Sequence, residues 1–467
     1  TKMKKFISTI CFLLACSVHA AKQPNIVFFF ADDQTSSSLA CYGHPLVKTP
    51  NIDRLAARGT RFSNSYVSQA ICWVSRTTIL TGLTGRSYGT PGRHDAARPD
   101  AVRELYVDLL RKAGYRTGFA GKWHAKMPKG WKAADHFDVF QPIGRNPFYK
   151  KQPDGSLRHE TELIVDRGIE FLENQPKDKP FALNMWFNAC HAEDGDRRPG
   201  IGHFPWPRAV DDLYVEDEIA PPRLNDPKIF ESQPYFLKTT INRERFFWRW
   251  NTETKYRTNM RAYLRMVSGI DNAIGRFIKV LEAKGLADNT IIVYMSDNGH
   301  SNETTYRIRG KEHPSGFPEG HFYGASGGGN TGRWIGHKSK FLEGGIRVPA
   351  ILSYPSKIPV NESREQIITA MDWYPTILEL CNVKPDPQSP AIDGFSVLPI
   401  CNSADAPSPY GGILHFHWGS TWAVRDGNWK LIGADGKQNY QLVSLTDEKP
   451  ETINHAKDKP ELVKRLL

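Results

Sequence analysis

Cysteine is scarce in this chain, with seven among 467 residues. Cys11 and Cys16 fall in the first twenty positions, which leaves Cys41, Cys72, Cys190, Cys381 and Cys401. Five is odd and the spacings are long. No pair has zinc-site spacing, and the density is far below that of a disulfide scaffold. At least one thiol is therefore unpaired. After the amino terminus no stretch reaches the roughly 18 apolar residues of a membrane helix. There is no internal repeat and no recognised nucleic-acid motif. Acidic residues are in deficit, 50 against 61 Lys plus Arg, so the formal net charge is +11. Such a surface favours anionic ligands without choosing among nucleic acid, anionic polysaccharide and phosphorylated small molecules. With 40% apolar and 24% charged residues the chain is an ordinary globular one, which excludes disordered, collagen-like and coiled-coil classes.

The first twenty residues read as a signal peptide rather than as part of the fold. Met3-Lys4-Lys5 is basic, Phe6 to Ala15 is apolar apart from Ser8 and Thr9, and Val18-His19-Ala20 offers small residues at a cleavage site. The expected location is secreted or periplasmic. Leu13-Leu14-Ala15-Cys16 also resembles a lipoprotein box, which would anchor the mature chain through Cys16.

Four apolar runs each end in a polar cluster. Asn25 to Ala31 precedes Asp32-Asp33, Arg116 to Ala120 precedes Gly121-Lys122-Trp123-His124, Phe181 to Ala189 precedes His191, and Thr290 to Met295 precedes Ser296-Asp297-Asn298. Runs without polar alternation suggest strands buried on both faces, as in a parallel sheet covered by helices. Ligands of open α/β sheets sit beyond the carboxyl ends of the strands, where these clusters fall. Helical spacing is expected over 51–59, with Gly59 as C-cap, and over 105–114, 162–174 and 263–285. The fold class is thus α/β, a large mixed and mostly parallel sheet flanked by helices. Residues 196–258, rich in Pro, Arg and aromatics, and 301–339, rich in Gly, are expected as long excursions on the ligand side. Trp422 to Ile432 reads as two short strands around Asp426-Gly427, with a final helix from Glu461. The expected organisation is a leader at 1–20, a catalytic α/β domain over 22–400 and a smaller C-terminal α+β domain over 401–467.

Adjacent carboxylates repel unless a cation or a proton holds them. Asp32 and Asp33, joined by Asp297 and Asn298 after a second strand, suit a hard divalent cation such as calcium or magnesium, although one acid alone would serve as a helix cap. Cys72 stands just before or at an expected helix start with Arg76 four residues on, a place that favours anions; a buried structural thiol is the plainer alternative. Lys122 and His124, two apart, can share one side of an extended loop and offer a fixed charge and a mobile proton. His191 is ambiguous on its own. Lys340 heads Lys340-Phe341-Leu342-Glu343-Gly344-Gly345-Ile346-Arg347, where Arg347 is expected to pair with an acid and Lys340 to enter the site.

Taken in order, these segments resemble the formylglycine-dependent (type I) sulfatases of the alkaline phosphatase superfamily, of the bacterial carbohydrate-sulfatase kind. The likeness runs through Pro24 to Asp33, Thr49 to Leu55, Cys72 to Gly82, Ala113 to His124, Ser296 to Gly299 and Lys340 to Pro349. It implies that a maturase oxidises Cys72 to formylglycine, whose hydrate is the nucleophile. Asp32, Asp33, Asp297, Asn298 and an oxygen at position 72 would bind one calcium ion. Arg76 would hold the hydrate, Lys122 and Lys340 the sulfate oxygens. His124 would take the proton that expels sulfate, and His191 would act near the leaving oxygen. One departure stands out: the maturation signature carries Pro or Ala two residues after the cysteine, and here that residue is Val74, while Ser75 and Arg76 fit.

The expected function is hydrolysis of sulfate esters on a polysaccharide or its oligomers, with Trp206 and Phe246 to Trp250 as aromatics that can stack on sugar rings or fill a core. A phosphonate or phosphodiester hydrolase of the same superfamily and a non-catalytic sulfated-glycan binder are the rival readings.

Overall fold

The computed structural model describes residues 23–89, 97–102, 104–194, 203–219, 245, 248–250, 252–301, 305–307, 322–324, 333–385, 387 and 389–467. The expected leader, with Cys16, and Phe246 and Phe247 lie outside the described residues.

The strands are β1 (Asn25–Ala31), β2 (Gly59–Tyr66), β3 (Arg116–Gly121), β4 (Val139–Pro142), β5 (Tyr149–Lys151), β6 (Leu157–His159), β7 (Phe181–Trp186), β8 (Thr290–Ser296), β9 (Thr305–Arg307), β10 (Phe322–Gly324), β11 (Ala350–Ser353), β12 (Glu362–Thr369), β13 (Ile413–Trp418), β14 (Thr421–Asp426), β15 (Trp429–Ala434) and β16 (Lys437–Ser444). Eight form the main sheet in the order β12-β2-β11-β8-β1-β7-β3-β4. Every neighbouring pair is parallel except those of β11, which runs against both β2 and β8. β1, β7 and β8 are buried along their whole length, as their unbroken apolar runs require.

Successive side chains of a strand point to opposite faces. On β1, Ile26, Phe28 and Phe30 therefore enter one core while Val27, Phe29 and Ala31 enter the other. The first core is closed by α2 (Cys72–Thr81), α3 (Tyr106–Lys112) and the helix Trp373–Leu380. The second is closed by α1 (Pro50–Ala57), α4 (Glu160–Glu173) and the long α5 (Glu253–Ala283). Thr252 caps α5 by accepting from Lys255 N, so that helix begins ten residues before its apolar stripe had suggested.

Two expectations about the chain's punctuation change. Gly59 is no C-cap: Arg58 ends α1 and Gly59 opens β2. A Cβ there would lie 2.1 Å from the carbonyl oxygen of Leu352, so the glycine permits β11 to approach. The strand β2 itself carries no continuous apolar run that would mark it in the sequence.

Strands β13 to β16 form a separate antiparallel sheet, and the Asp426-Gly427 turn joins β14 to β15. One side packs Leu431 and Leu442 on Leu466 of the terminal helix Pro460–Leu466. The other packs Phe416 against Tyr66 and Phe341, and Trp418 against Trp73 beside Cys72. A buried cluster ties this sheet to the larger one: Lys430 Nζ lies 2.6 Å from Glu343 Oε1 and 2.7 Å from Glu451 Oε1, all three fully enclosed. No helix among the described residues is long and apolar enough to cross a membrane.

Candidate active site

Four parallel strands deliver their polar ends to one place. Asp32-Asp33 follow β1, Lys122 follows β3, the turn to His191 follows β7, and Asp297-Asn298 follow β8. Backbone hydrogen bonds lock these exits together. Asp32 N donates to Ala189 O at 2.9 Å, Lys122 N to Trp186 O at 2.8 Å, and Asp297 N to Ala31 O at 3.1 Å. Gly121 is needed here, since its φ is +113° and a Cβ would sit 2.0 Å from Trp186 O. Asp33 and His124, with φ of 54° and 45°, adopt the left-handed region that non-glycine residues avoid, as does Ser339 at 69°. Residues held this way cluster at functional sites.

Cys72 is the first residue of α2, and its Sγ lies 3.3 Å from His124 Nδ1. The Cys72 sulfur and carboxylate oxygens of Asp32 and Asp297 all lie within 4.8 Å of one another. Arg76, one turn along α2 and fully buried, gives Asp297 Oδ2 two hydrogen bonds, at 3.1 and 2.7 Å, and donates to Lys122 O at 2.9 Å. Phe30 and Trp186 flank its guanidinium. These bonds fix Asp297 against Arg76. Lys122 ion-pairs with Asp32.

Three buried oxygens at the centre have no hydrogen-bond partner: Asp32 Oδ1, Asp33 Oδ2 and Asn298 Oδ1. Asn298 Nδ2 donates to Asp33 Oδ1 at 2.6 Å, which turns its carbonyl oxygen the other way. Burial and the Asp32 charge push Asp297 well above the ordinary carboxylate range, although Arg76 opposes this. Asp32 is also penalised by burial, yet Lys122, His191, Lys338 and Arg76 together hold it well below that range. Orphaned oxygens among crowded acids are the donor set of a hard divalent cation. The Cys72 thiol is the one soft donor in that set, and an oxygen in its place would make it all-oxygen.

The lysine of the glycine-rich segment requires a correction. Lys340 is exposed, whereas Lys338 reaches inward to place Nζ 2.7 Å from Asp33 Oδ1. The backbone explains the choice: Lys338 N donates to His300 O at 2.9 Å and Ser339 N to Ala70 O at 2.8 Å, pinning this stretch between the end of β8 and the loop before Cys72. Arg347 does pair with an acid, Glu343, at 3.3 Å.

His191 Nε2 lies 3.5 Å from Asp33 Oδ2, while its Nδ1 donates to Ala192 O at 2.8 Å. Burial, then the charge of Arg145, keeps its pKa well below the usual value. That arginine belongs to a group that motif reading missed. Asp194 Oδ2 meets Arg145 at 2.6 Å, and Asp194 Oδ1 meets Arg245 at 3.0 Å and Arg249 at 3.5 Å. Only the local wealth of Arg hinted at it. His124 is pushed down to about 3 by burial and the charges of Lys122 and Arg76, so it is neutral. Of the aromatics expected as sugar platforms or core, Trp250 is fully buried, and Trp206 is half-buried beneath Arg265 with Nε1 donating to Asp211. All five described cysteines are free thiols.

A family model described as Sulfatase matches residues 24–383. The N-acetylglucosamine-6-O-sulfatase of Bacteroides thetaiotaomicron is 29% identical over 85% of this chain and 74% of its own. The N-acetylgalactosamine-6-O-sulfatase of the same organism is 26% identical over 96% of this chain and 92% of its own. A solved structure of a protein in complex with its substrate D-glucosamine-2-N,6-O-disulfate superposes with a TM-score of 0.66 at 25% identity, covering 95% of this chain and 97% of that one.

Proposed function

Since the chain belongs to the sulfatase family and is a sulfuric ester hydrolase, we propose that it removes sulfate from a 6-O-sulfated amino sugar of a glycosaminoglycan-like carbohydrate, using Cys72 matured to formylglycine and one calcium ion. The carrying observation is the cluster of Cys72, Asp32 and Asp297 at the start of α2, with three orphaned oxygens around it. The substrate class rests on the two relatives and the ligand of the solved neighbour.

Asp32, Asp33, Asp297, Asn298 and an oxygen at position 72 would hold the cation. Calcium supplies a fixed double charge against the sulfuryl oxygens, and the matured residue supplies the nucleophilic oxygen. The remaining work belongs to the chain's own groups. Lys122 and Lys338 hold ammonium groups against the sulfate, where negative charge gathers as the ester bond breaks. His124, with Nδ1 beside position 72, is placed to take a proton from that residue. Lys338, at Asp33 Oδ1, can give a proton or hydrogen bond to the leaving alcohol oxygen, while His191, whose Nδ1 proton is held by Ala192 O, brings an unprotonated Nε2 near Asp33 Oδ2. Arg76 keeps Asp297 oriented throughout.

Maturation needs a partner enzyme that accepts Val74, which is buried in α2. Export to the periplasm or the medium, where sulfated polysaccharide is met, accords with the leader read in the sequence.

The test is sulfate release from 6-O-sulfated N-acetylglucosamine and N-acetylgalactosamine, alongside matched phosphate and phosphonate esters and the intact mass of the peptide containing Cys72. Sulfate release with an aldehyde at position 72 is expected. A faster phosphonate reaction would move the protein to the rival hydrolase class. Tight glycan binding without release, from matured protein, would make it a binder.

A further inference from the structure

A second cleft, of about 370 Å³, is lined by Arg61, Arg333 and Arg347 with Trp334, His44 and the Ser36-Ser37 pair among its walls. That volume lies in the range of small-ligand sites. None of its lining residues among those described is acidic. Arg347 is committed to Glu343 and to Ser63 O. Arg61 and Arg333 differ, for neither has a carboxylate partner among the described residues. Arg61 lies over the Tyr42 ring, 5.0 Å from its centroid, and the Tyr42 hydroxyl is fixed by Ala350, donating to its carbonyl at 2.8 Å. Arg333 lies over Trp334 at 4.7 Å and gives one hydrogen bond, at 3.3 Å, to Leu445 O. Each guanidinium therefore lies over an aromatic ring with donors that no acceptor among the described residues takes. His44 Nδ1 accepts from Leu46 N and Val47 N, which places the ring proton on Nε2, a buried atom without a partner. Burial lowers its pKa to about 4, so it is neutral.

The cleft adjoins the active site along the chain. Ser36 is three residues from Asp33 and Trp334 four from Lys338, so backbone spans of at most about 11 and 14 Å separate them. Guanidinium forks match oxyanions better than any other side chain does. We propose that this cleft is a subsite for a second sulfate group, carried by a sugar unit next to the one whose ester is cleaved. This rests on the proposed carbohydrate sulfatase activity and makes the enzyme a reader of multiply sulfated oligosaccharides.

The test compares wild type with R61Q/R333Q on three substrates: a 6-O-sulfated monosaccharide, a tetrasaccharide with a second sulfate on the neighbouring sugar, and one whose only other anion is a uronate. The expected result is a loss of about tenfold or more in kcat/KM on the doubly sulfated tetrasaccharide, mainly through KM, with rates on the other two within about twofold. The unchanged monosaccharide rate also reports intact folding. Equal losses on all three substrates, or no loss on any, would overturn the proposal. So would an equal loss on the uronate tetrasaccharide. Equilibrium binding of the doubly sulfated tetrasaccharide to both proteins separates this idea from the activity itself. If wild type releases no sulfate from any sugar, weaker binding by the variant still supports the cleft, and unchanged binding overturns it.

Discussion

Lys338 Nζ sits 2.7 Å from Asp33 Oδ1, while Lys340, two residues on, presents its side chain to solvent. Preorganised cations at a developing charge are worth about 10²–10³ in rate each. Lys338→Ala should therefore lower kcat by a factor in that range, and Lys340→Ala should stay within about twofold. Steady-state kinetics on one sulfate ester decide it; a large loss from Lys340→Ala would return that lysine to the site.

Removal of the cation should be felt by the fold as well as by the rate. The carboxylates of Asp32, Asp33 and Asp297 crowd one buried volume with oxygens left over. A ligand at a hundredfold excess over its Kd stabilises by about 2.7 kcal/mol. Chelation should lower the thermal midpoint and abolish activity, and added Ca²⁺ should restore both. A midpoint insensitive to chelator and to Ca²⁺ would argue against a metal centre.

Lys430 lies inside a pair of buried acids, Glu343 and Glu451, at 2.6 and 2.7 Å. Removing one partner of a buried ion pair costs about 3–5 kcal/mol because the other charge is stranded. Lys430→Met should lose stability in that range by chemical denaturation. Adding Glu451→Gln should recover part of it by neutralising one stranded carboxylate. An unaffected Lys430→Met protein would show that the cluster contributes nothing to the docking of the two sheets.

His159 predicts an acid-labile element. Its Nδ1 caps α4 by accepting from Thr161 N, its Nε2 donates to Pro205 O at 3.2 Å, and burial pushes it down to about 3 from an ordinary 6.5. Above pH 6.5 the folded and unfolded forms are both neutral, and the group adds no pH dependence. Below that value the unfolded chain binds a proton that the folded chain refuses, so stability falls, by about 1.4 kcal/mol per pH unit, down towards the folded value. His159→Gln should flatten this limb in denaturation curves between about pH 7 and pH 5. An identical slope in the variant would assign the acid sensitivity elsewhere.

Much of the architecture was legible because the central strands are buried on both faces. Asn25–Ala31 and Thr290–Ser296 needed continuous apolar sequence, and their carboxyl ends had to carry the polar clusters. Strand β2 is not legible in the sequence because three of its eight residues, Arg61, Ser63 and Asn64, are only partly covered and interrupt the apolar pattern. Gly59 misled for a related reason: a glycine marks a helix end and a close approach of two strands with the same letter. The Asp194 group was invisible because its members, at 145, 194, 245 and 249, meet only in space.

By itself the sequence determined the α/β class, the strand ends at which Asp32, Lys122 and Asp297 emerge, and the cysteine at a helix start, since each follows from local runs, spacings and caps. Which of two lysines enters, which oxygens remain unpartnered and which arginines lack an acid were decided only by the tertiary structure. Those are properties of distance and burial between segments far apart in the chain, as for Asp33 and Lys338 at a separation of 305, and no local pattern encodes them.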